Sequence, residues 1–371
     1  MARTLPTRVY QRAVRALARR DRLEMAAADA LLETLSPTPQ AAPTTPKPGT
    51  RRDTVGSKRP MTIRPTRIKP AAFRSVLCPV DFSEASRLAL RYAASLCRRA
   101  HVPLTVFYAN DPFLIAAAAA ALHDRTLARR SQDELDRFVA ATLPVRSRKS
   151  LVVKTLVATG RPTHTIANAL ARTKASLVVV GTHGLTGADK VLLGSTTLGL
   201  LEQSTVPVLA VPRPGGRRSA PPRPGWPGKW LAVALDLDGN LRLEIENAAR
   251  LAEWFDSSLY LVHVVSKTTR PPWLEANVAA HDHARVEEAR ARLETLAAAL
   301  RPSLKTKVVV RLGHPADEIA ALTAAEPIGL VITTLRPKAR WFGARRGSVS
   351  YHVLSHATTP VLALPPAGNA R

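Results

Sequence analysis

Residues 181–197 read GTHGLTGADKVLLGSTT. The apolar run SLVVV precedes them over 176–180, and LGLLEQSTVPVLAVP follows over 198–212. The run before has the length and Val content of a buried strand, and the residues after it read as a helix and then a second strand. Four glycines stand between, the last of them in Gly194-Ser195 where the helical pattern starts. Glycine lets backbone N–H groups approach an anion closely and reach positive φ, and a helix N-terminus favours phosphate. The spacing lacks the GK[ST] ending of a P-loop, and it is not GxGxxG. A plainer reading stands beside this one: Ser195 serves only as an N-cap, and the glycines only turn the chain. The stretch alone leaves both open.

Working outward, the strand-loop-helix unit belongs to a segment that occurs twice. Residues 74–212 open RSVLCPVDFSEASRLALRYAASL, and residues 229–366 open KWLAVALDLDGNLRLEIENAARLA. Each puts an aspartate, Asp81 or Asp236, at the end of a short apolar run and then enters a helical pattern. LTVFYAND (104–111) matches LYLVHVVS (259–266), and long helical patterns follow over 113–143 and 274–300. Gly160 and Pro162 match Gly313 and Pro315, and the copies close in VPVLAVP and TPVLALP. Short Val- and Leu-rich runs alternating with amphipathic helices predict an α/β fold: two tandem doubly wound, Rossmann-like domains with mostly parallel sheets covered on both faces. Such sheets bind ligands at the carboxyl ends of their strands. Asp81 and the glycine loop both fall there, on the first and fourth strands of their copy.

The domain boundaries follow: a basic extension over 1–70, a first domain over 71–212, a Pro/Gly/Arg linker over 213–228, a second domain over 229–366, and a tail over 367–371. Residues 1–70 hold 15 Lys and Arg against 5 Asp and Glu, a net +10. A helix is expected over 8–35, and the Pro-rich remainder cannot bury enough apolar surface to fold alone. Over its 371 residues the chain carries a formal charge of +26 and is 46% hydrophobic, so a sizeable core coexists with an attraction for polyanions. Aromatics are only 5%, too few to interleave with the charge as in single-strand binders. Nucleic acid, or a membrane surface, through residues 1–70 is therefore an alternative and not the favoured reading. Two cysteines, Cys78 and Cys97, exclude a disulfide framework and a cysteine zinc site, and suit a cytoplasmic chain. They read as core strand and buried helix. The longest apolar run, FLIAAAAAAL, is too short to span a bilayer. His281-Asp282-His283 could suggest a metal pair, but adjacent helical residues share no face. No HExxH or GxSxG occurs, and no nucleophile with a partner base is evident.

GTHGLTGADKVLLGS resembles the G-x2-G-x9-G-[S/T] signature of the universal stress protein family, and VLCPVDFSEAS resembles that family's first strand with its adenine-side aspartate. The resemblance spans both copies and leaves the extension uncovered. It implies an adenine nucleotide alpha hydrolase-like fold and a site for ATP or another adenine nucleotide in the first copy, with magnesium as the ion that could accompany the phosphates. Pro79, Val80 and Asp81 would border adenine and ribose, and Ala109 would lie against the base. Gly181, Gly184, Gly194, Ser195 and Thr196 would hold ribose and phosphates, with His183 inside the loop. Family members often pair through their last strands. Here strands 206–211 and 359–364 would make that contact within one chain, as a pseudo-dimer, and whole chains could pair further. The implied role is nucleotide-responsive regulation under stress, with slow ATP hydrolysis at most; a nucleotide-free interaction protein is the alternative. In the second copy Thr334 and Pro337 replace Gly181 and Gly184, while Asp236, Gly347 and Ser348 keep their counterparts. Proline has no N–H and fixes φ, so this degenerate loop is expected to have lost the cradle, leaving one nucleotide per chain.

Overall fold

The computed structural model describes residues 73–121, 126–145, 150–182, 193–212, 222–269, 278–335 and 349–365. The first copy holds β1 (Val76–Pro79), α1 (Glu84–Ala100), β2 (Leu104–Asn110), α2 (Pro112–Ala121), α3 (Leu127–Thr142), β3 (Val153–Thr159), α4 (Pro162–Thr173), β4 (Leu177–Gly181), α5 (Ser195–Gln203) and β5 (Val208–Val211). The second holds β6 (Trp230–Ala234), α6 (Leu241–Phe255), β7 (Ser258–Val265), α7 (Val278–Ala298), β8 (Thr306–Leu312), α8 (Pro315–Ala325), β9 (Ile328–Thr334), α9 (Val349–His356) and β10 (Val361–Leu364). The helical pattern expected over 113–143 is two helices. PFLIAAAAAA has no polar face, whereas α3 has its own buried stripe of Ser131, Leu135, Phe138 and Val139.

All ten strands form one sheet in the order β3-β2-β1-β4-β5-β10-β9-β6-β7-β8. Every neighbouring pair is parallel except β5 and β10, which run antiparallel with Val361 opposite Ala210 and Leu362 opposite Leu209. The two closing strands thus join the copies edge to edge. The fully apolar β4, β5 and β10 are buried, as a parallel sheet covered on both faces requires. One face packs against α1, α3, α6 and α7 through Cys78, Leu88, Val106, Leu135, Leu209, Leu231, Leu251 and Leu293. The other packs against α4, α5, α8 and α9 through Leu77, Phe107, Ile166, Val178, Leu200, Ile319 and Val353. Both cores continue across the β5–β10 seam.

The end of the linker is packed into the fold. Trp226 sits edge-on between Tyr92 of α1 (5.0 Å) and Phe255 of α6 (5.8 Å), and its Nε1 donates to the Gly329 carbonyl at 3.0 Å. A Cβ on Gly329 would fall 1.8 Å from the Pro227 oxygen, so the linker lies directly on β9 where only glycine admits it. Residues 213–221, the extension 1–70 with its expected helix, and the tail 367–371 lie outside the described residues.

Candidate functional site

The centre of the first copy's sheet runs β2-β1-β4, and the carboxyl ends of these strands open on one side. Asp81 follows β1. Its Oδ1 accepts from the Ser83 N–H at 3.1 Å and the Ser83 hydroxyl at 2.6 Å. Ser83 in turn caps α1, its Oγ accepting from the Ser86 N–H at 3.1 Å. The aspartate is therefore fixed to the helix cap. At the end of β2, the Asp111 carboxylate accepts from the Phe113 N–H at 2.7 Å and opens α2.

At the end of β4, Gly181 passes so close to α1 that a Cβ would lie 3.0 Å from the Ala85 carbonyl carbon. Its carbonyl accepts from Thr197 Oγ1 at 2.8 Å, which ties the strand end to the first turn of α5. Gly194, not Ser195, is the N-cap of α5, so the capping role considered for Ser195 is corrected: Ser195 is the first helical residue. The Gly194 amide is engaged by the Thr182 carbonyl at 2.8 Å. The first bond of the helical ladder runs from the Leu198 amide to the Gly194 carbonyl. That leaves the amides of Ser195, Thr196 and Thr197 outside the ladder at the positive end of the helix.

These ends enclose a cleft of about 400 Å³. Pro79, Val80, Asp81, Ala109, Gly181, Gly194, Ser195 and Thr196 all line it, so residues from three strands and a helix start are brought together. His183 and Gly184 lie outside the described residues. Sequence reasoning missed Ser86, Phe107, Tyr108, Asp111, Pro162, Ile166, Val180 and Thr197, which also line the cleft. Pro162 had a signal, the Gly-x-Pro shared by both copies, and Asp111 closes the run YAND. The others depend on strand register and helix placement. The chemistry is two-sided: Pro79, Val80, Ala109 and Ile166 offer apolar surface, and the α5 start offers amides and hydroxyls. The lining includes two carboxylates and, among the described residues, no lysine or arginine.

Strand register aligns the second copy residue by residue. Thr334 stands where Gly181 does, opposite Leu364 as Gly181 is opposite Val211. Its carbonyl accepts from Ser350 Oγ at 2.9 Å, the bond Thr197 makes in the first copy. Helix α6 starts at Leu241 and α1 at Glu84; counted from Asp236 and Asp81, α6 begins two residues later. Buried apolar residues take two cleft positions: Leu241 for Ser86 and Val264 for Ala109. Asp236 ends the apolar run after β6 and accepts from the Asp238 amide at 3.3 Å. Gly347 and Ser348 lie outside the described residues.

Asp282, weighed as part of a metal pair, is 5% exposed. It accepts from the Thr268 amide at 3.1 Å, from the Thr268 hydroxyl at 2.5 Å and from Arg285 at 3.2 Å. The Thr268 hydroxyl and amide bonds hold its carboxyl below the usual range. It pins the chain after β7 to α7. Among the described residues no group of three or more His, Cys, Asp or Glu could hold a metal ion, and no helix is long and apolar enough to cross a membrane. Cys78 and Cys97 are both 0% exposed, and burial pushes both thiols up, Cys97 to about 12.

The model of the universal stress protein family matches residues 72–212 and 231–365. A universal stress protein of Mycolicibacterium smegmatis is 27% identical over 323 residues, covering 81% of this chain and 99% of that protein. One from Methanocaldococcus jannaschii is 26% identical over 146 residues, covering 38% of this chain and 84% of its own length. The crystal structure of a universal stress protein from Archaeoglobus fulgidus shares the fold with a TM-score of 0.54 at 18% identity, over 79% of this chain and 98% of that one.

Proposed function

Because the chain belongs to the universal stress protein family, we propose that the cleft of its first copy binds ATP or another adenine nucleotide, and that occupancy regulates the protein under stress. The observation that carries this reading is the meeting of an apolar slot and a helix start in one cleft of about 400 Å³, a size in the range of ligand pockets. Pro79, Val80 and Ala109 form the slot for the base, with Asp81 held at its edge. The amides of Ser195 and Thr196 face the phosphates at the positive end of α5. Gly181 lets the strand end pack closely against Ala85 of α1 at the floor of the cleft, and His183 and Gly184 belong to the loop that continues from there. With Asp81 and Asp111 in the wall and no lysine or arginine among the described lining residues, polyphosphate charge needs a counter-ion, and magnesium is the one proposed.

The second copy carries the fold and the seam, and we assign it no nucleotide. Calorimetry with ATP on the full chain and on Gly194→Asp tests the reading. Gly194 has φ −57° and ψ 145° at an N-cap, where aspartate suits the helix, so the variant folds while its carboxylate repels phosphate. Micromolar binding lost in Gly194→Asp is the expected result. A folded wild type that binds no adenine nucleotide overturns it and leaves the interaction-protein reading.

A further inference from the structure

The opposite end of the first copy's sheet carries a feature that the cleft does not use. Across the amino ends of β3, β2, β1 and β4, the Leu104 amide meets the Val152 carbonyl at 2.9 Å, the Val76 amide meets Pro103 at 3.1 Å, and the Ser176 amide meets Ser75 at 2.9 Å. Val152, Pro103, Ser75 and Ser176 therefore form one row three strand spacings long, about 15 Å. On or beside this row Val152, His101, Arg74, Lys174 and Arg172 are exposed, and Val152 is 62% exposed. Residues 74–75, 101–103, 150–152 and 172–176 contain no Asp or Glu. Among the described residues Arg74, Arg172 and Lys174 make no salt bridge, whereas Arg87, Arg137 and Arg290 each pair with a glutamate on their own helix.

The fold does not require this charge. His101 and Lys174 are the C-caps of α1 and α4 and sit in the left-handed region at φ 54° and 50°, where glycine is the usual and less strained choice. The C-caps of the matching helices α6 and α8 are Asp256 and Glu326, both acidic. The +10 segment of residues 1–70 joins the chain just before Arg74. Cations beside the exposed Val152 side chain, with no Phe, Tyr, Trp, Asn or Gln in residues 74–75, 101–103, 150–152 and 172–176 to read bases, suit lipid headgroups better than nucleic acid.

We propose that the amino end of the first copy's sheet docks on an anionic phospholipid surface. The test is co-sedimentation of the full chain with vesicles of phosphatidylcholine alone, and with added phosphatidylglycerol, at about 0.15 M salt. The comparison is a triple variant, Arg74→Gln, Arg172→Gln and Lys174→Asn, whose folding is checked by its thermal melt; asparagine tolerates the left-handed cap. Wild type is expected to bind only the anionic vesicles, and the triple variant to partition on the order of 100-fold more weakly, from about 1 kcal/mol per cation near such a surface. Val152→Ser weakens binding further. Equal binding by wild type and triple variant overturns the proposal, because it places the attraction elsewhere on the chain. So does a triple variant that loses duplex DNA while keeping its vesicles.

Discussion

The hydroxyl of Thr197 donates to the carbonyl of Gly181 at 2.8 Å, and so fastens the carboxyl end of β4 to the first turn of α5. Ser350 and Thr334 make the same bond at 2.9 Å in the second copy. The framework that presents the glycine loop is thus common to both copies, and the difference between them lies in what fills it. Thr197 is 5% exposed. Thr197→Val keeps its shape and leaves the Gly181 carbonyl without this donor, a loss of about 1–2 kcal/mol. Chemical denaturation reads that loss, and ATP binding is expected to weaken with it because the phosphate-facing amides are no longer held to the strand.

Gly181→Ala acts differently. The added Cβ meets the Ala85 backbone and Cβ at 3.0–3.1 Å, with no flexible side chain to give way. The expected cost is about 1–3 kcal/mol of stability, together with loss of ATP binding as α1 is pushed from the cleft. Thr334→Gly in the second copy creates no nucleotide site, because Leu241 and Val264 still occupy the positions of the cleft residues Ser86 and Ala109. Calorimetry on that variant is expected to give one ATP per chain, as for wild type, and a stoichiometry near two refutes the assignment of the second copy.

Trp226 gives the linker a structural weight that its composition conceals. Trp226→Ala removes two edge-on ring contacts and the Gly329 hydrogen bond from a half-buried position. The expected loss is about 2–3 kcal/mol, below that of a fully buried tryptophan. Trp226→Phe keeps most of the ring surface and loses only the bond, about 1 kcal/mol. A thermal melt of the two variants separates packing from hydrogen bonding. Equal and negligible shifts show a linker that does not hold the copies.

The repeat explains why so much was legible. Two copies of apolar-strand, aspartate, helix, glycine-proline and closing strand fix the order of elements independently, so each checks the other. The β5–β10 pairing is the one the family resemblance implied for the closing strands VPVLAVP and TPVLALP. By composition residues 213–228 read only as a linker, because Pro, Gly and Arg dominate them. Its packing depends on Trp226 meeting Tyr92 and Phe255, partners 134 and 29 positions away, and on a glycine in β9. Composition carries no such information. Asp282 was hidden for the same reason: its partner Thr268 lies 14 residues earlier, before the helix begins. In the cleft, the strand-end residues were readable from motif position, while Ile166 and Phe107 enter it through helix and strand placement.

Burial accounts for the expected behaviour of the thiols. Cys78 and Cys97 are fully enclosed and burial disfavours the thiolate in both. In the native protein at pH 8, neither is expected to react with a thiol-specific disulfide reagent on the timescale of free cysteine, and both react on unfolding. Rapid labelling of either without denaturant contradicts the placement of β1 and α1.

Asp282 sets a pH dependence with a definite sign. Its carboxyl is held below the usual range by the Thr268 hydroxyl and amide, with Arg285 adding to the effect. A carboxyl depressed in the folded state binds fewer protons folded than unfolded. Its contribution to stability is therefore fully present above the ordinary aspartate range and is lost as pH falls through the folded value. Asp282→Asn keeps the size, removes the charge and loses this dependence. Wild type is expected to be the more stable at pH 7, with the gap between the two narrowing steadily as pH drops below about 4. Urea midpoints for both proteins at matched pH values measure the gap. A constant difference across the acid range contradicts a depressed carboxyl at Asp282 and leaves the Thr268 contact as a neutral hydrogen bond; a difference that grows in acid reverses the sign and refutes the account of how α7 is pinned to the end of β7.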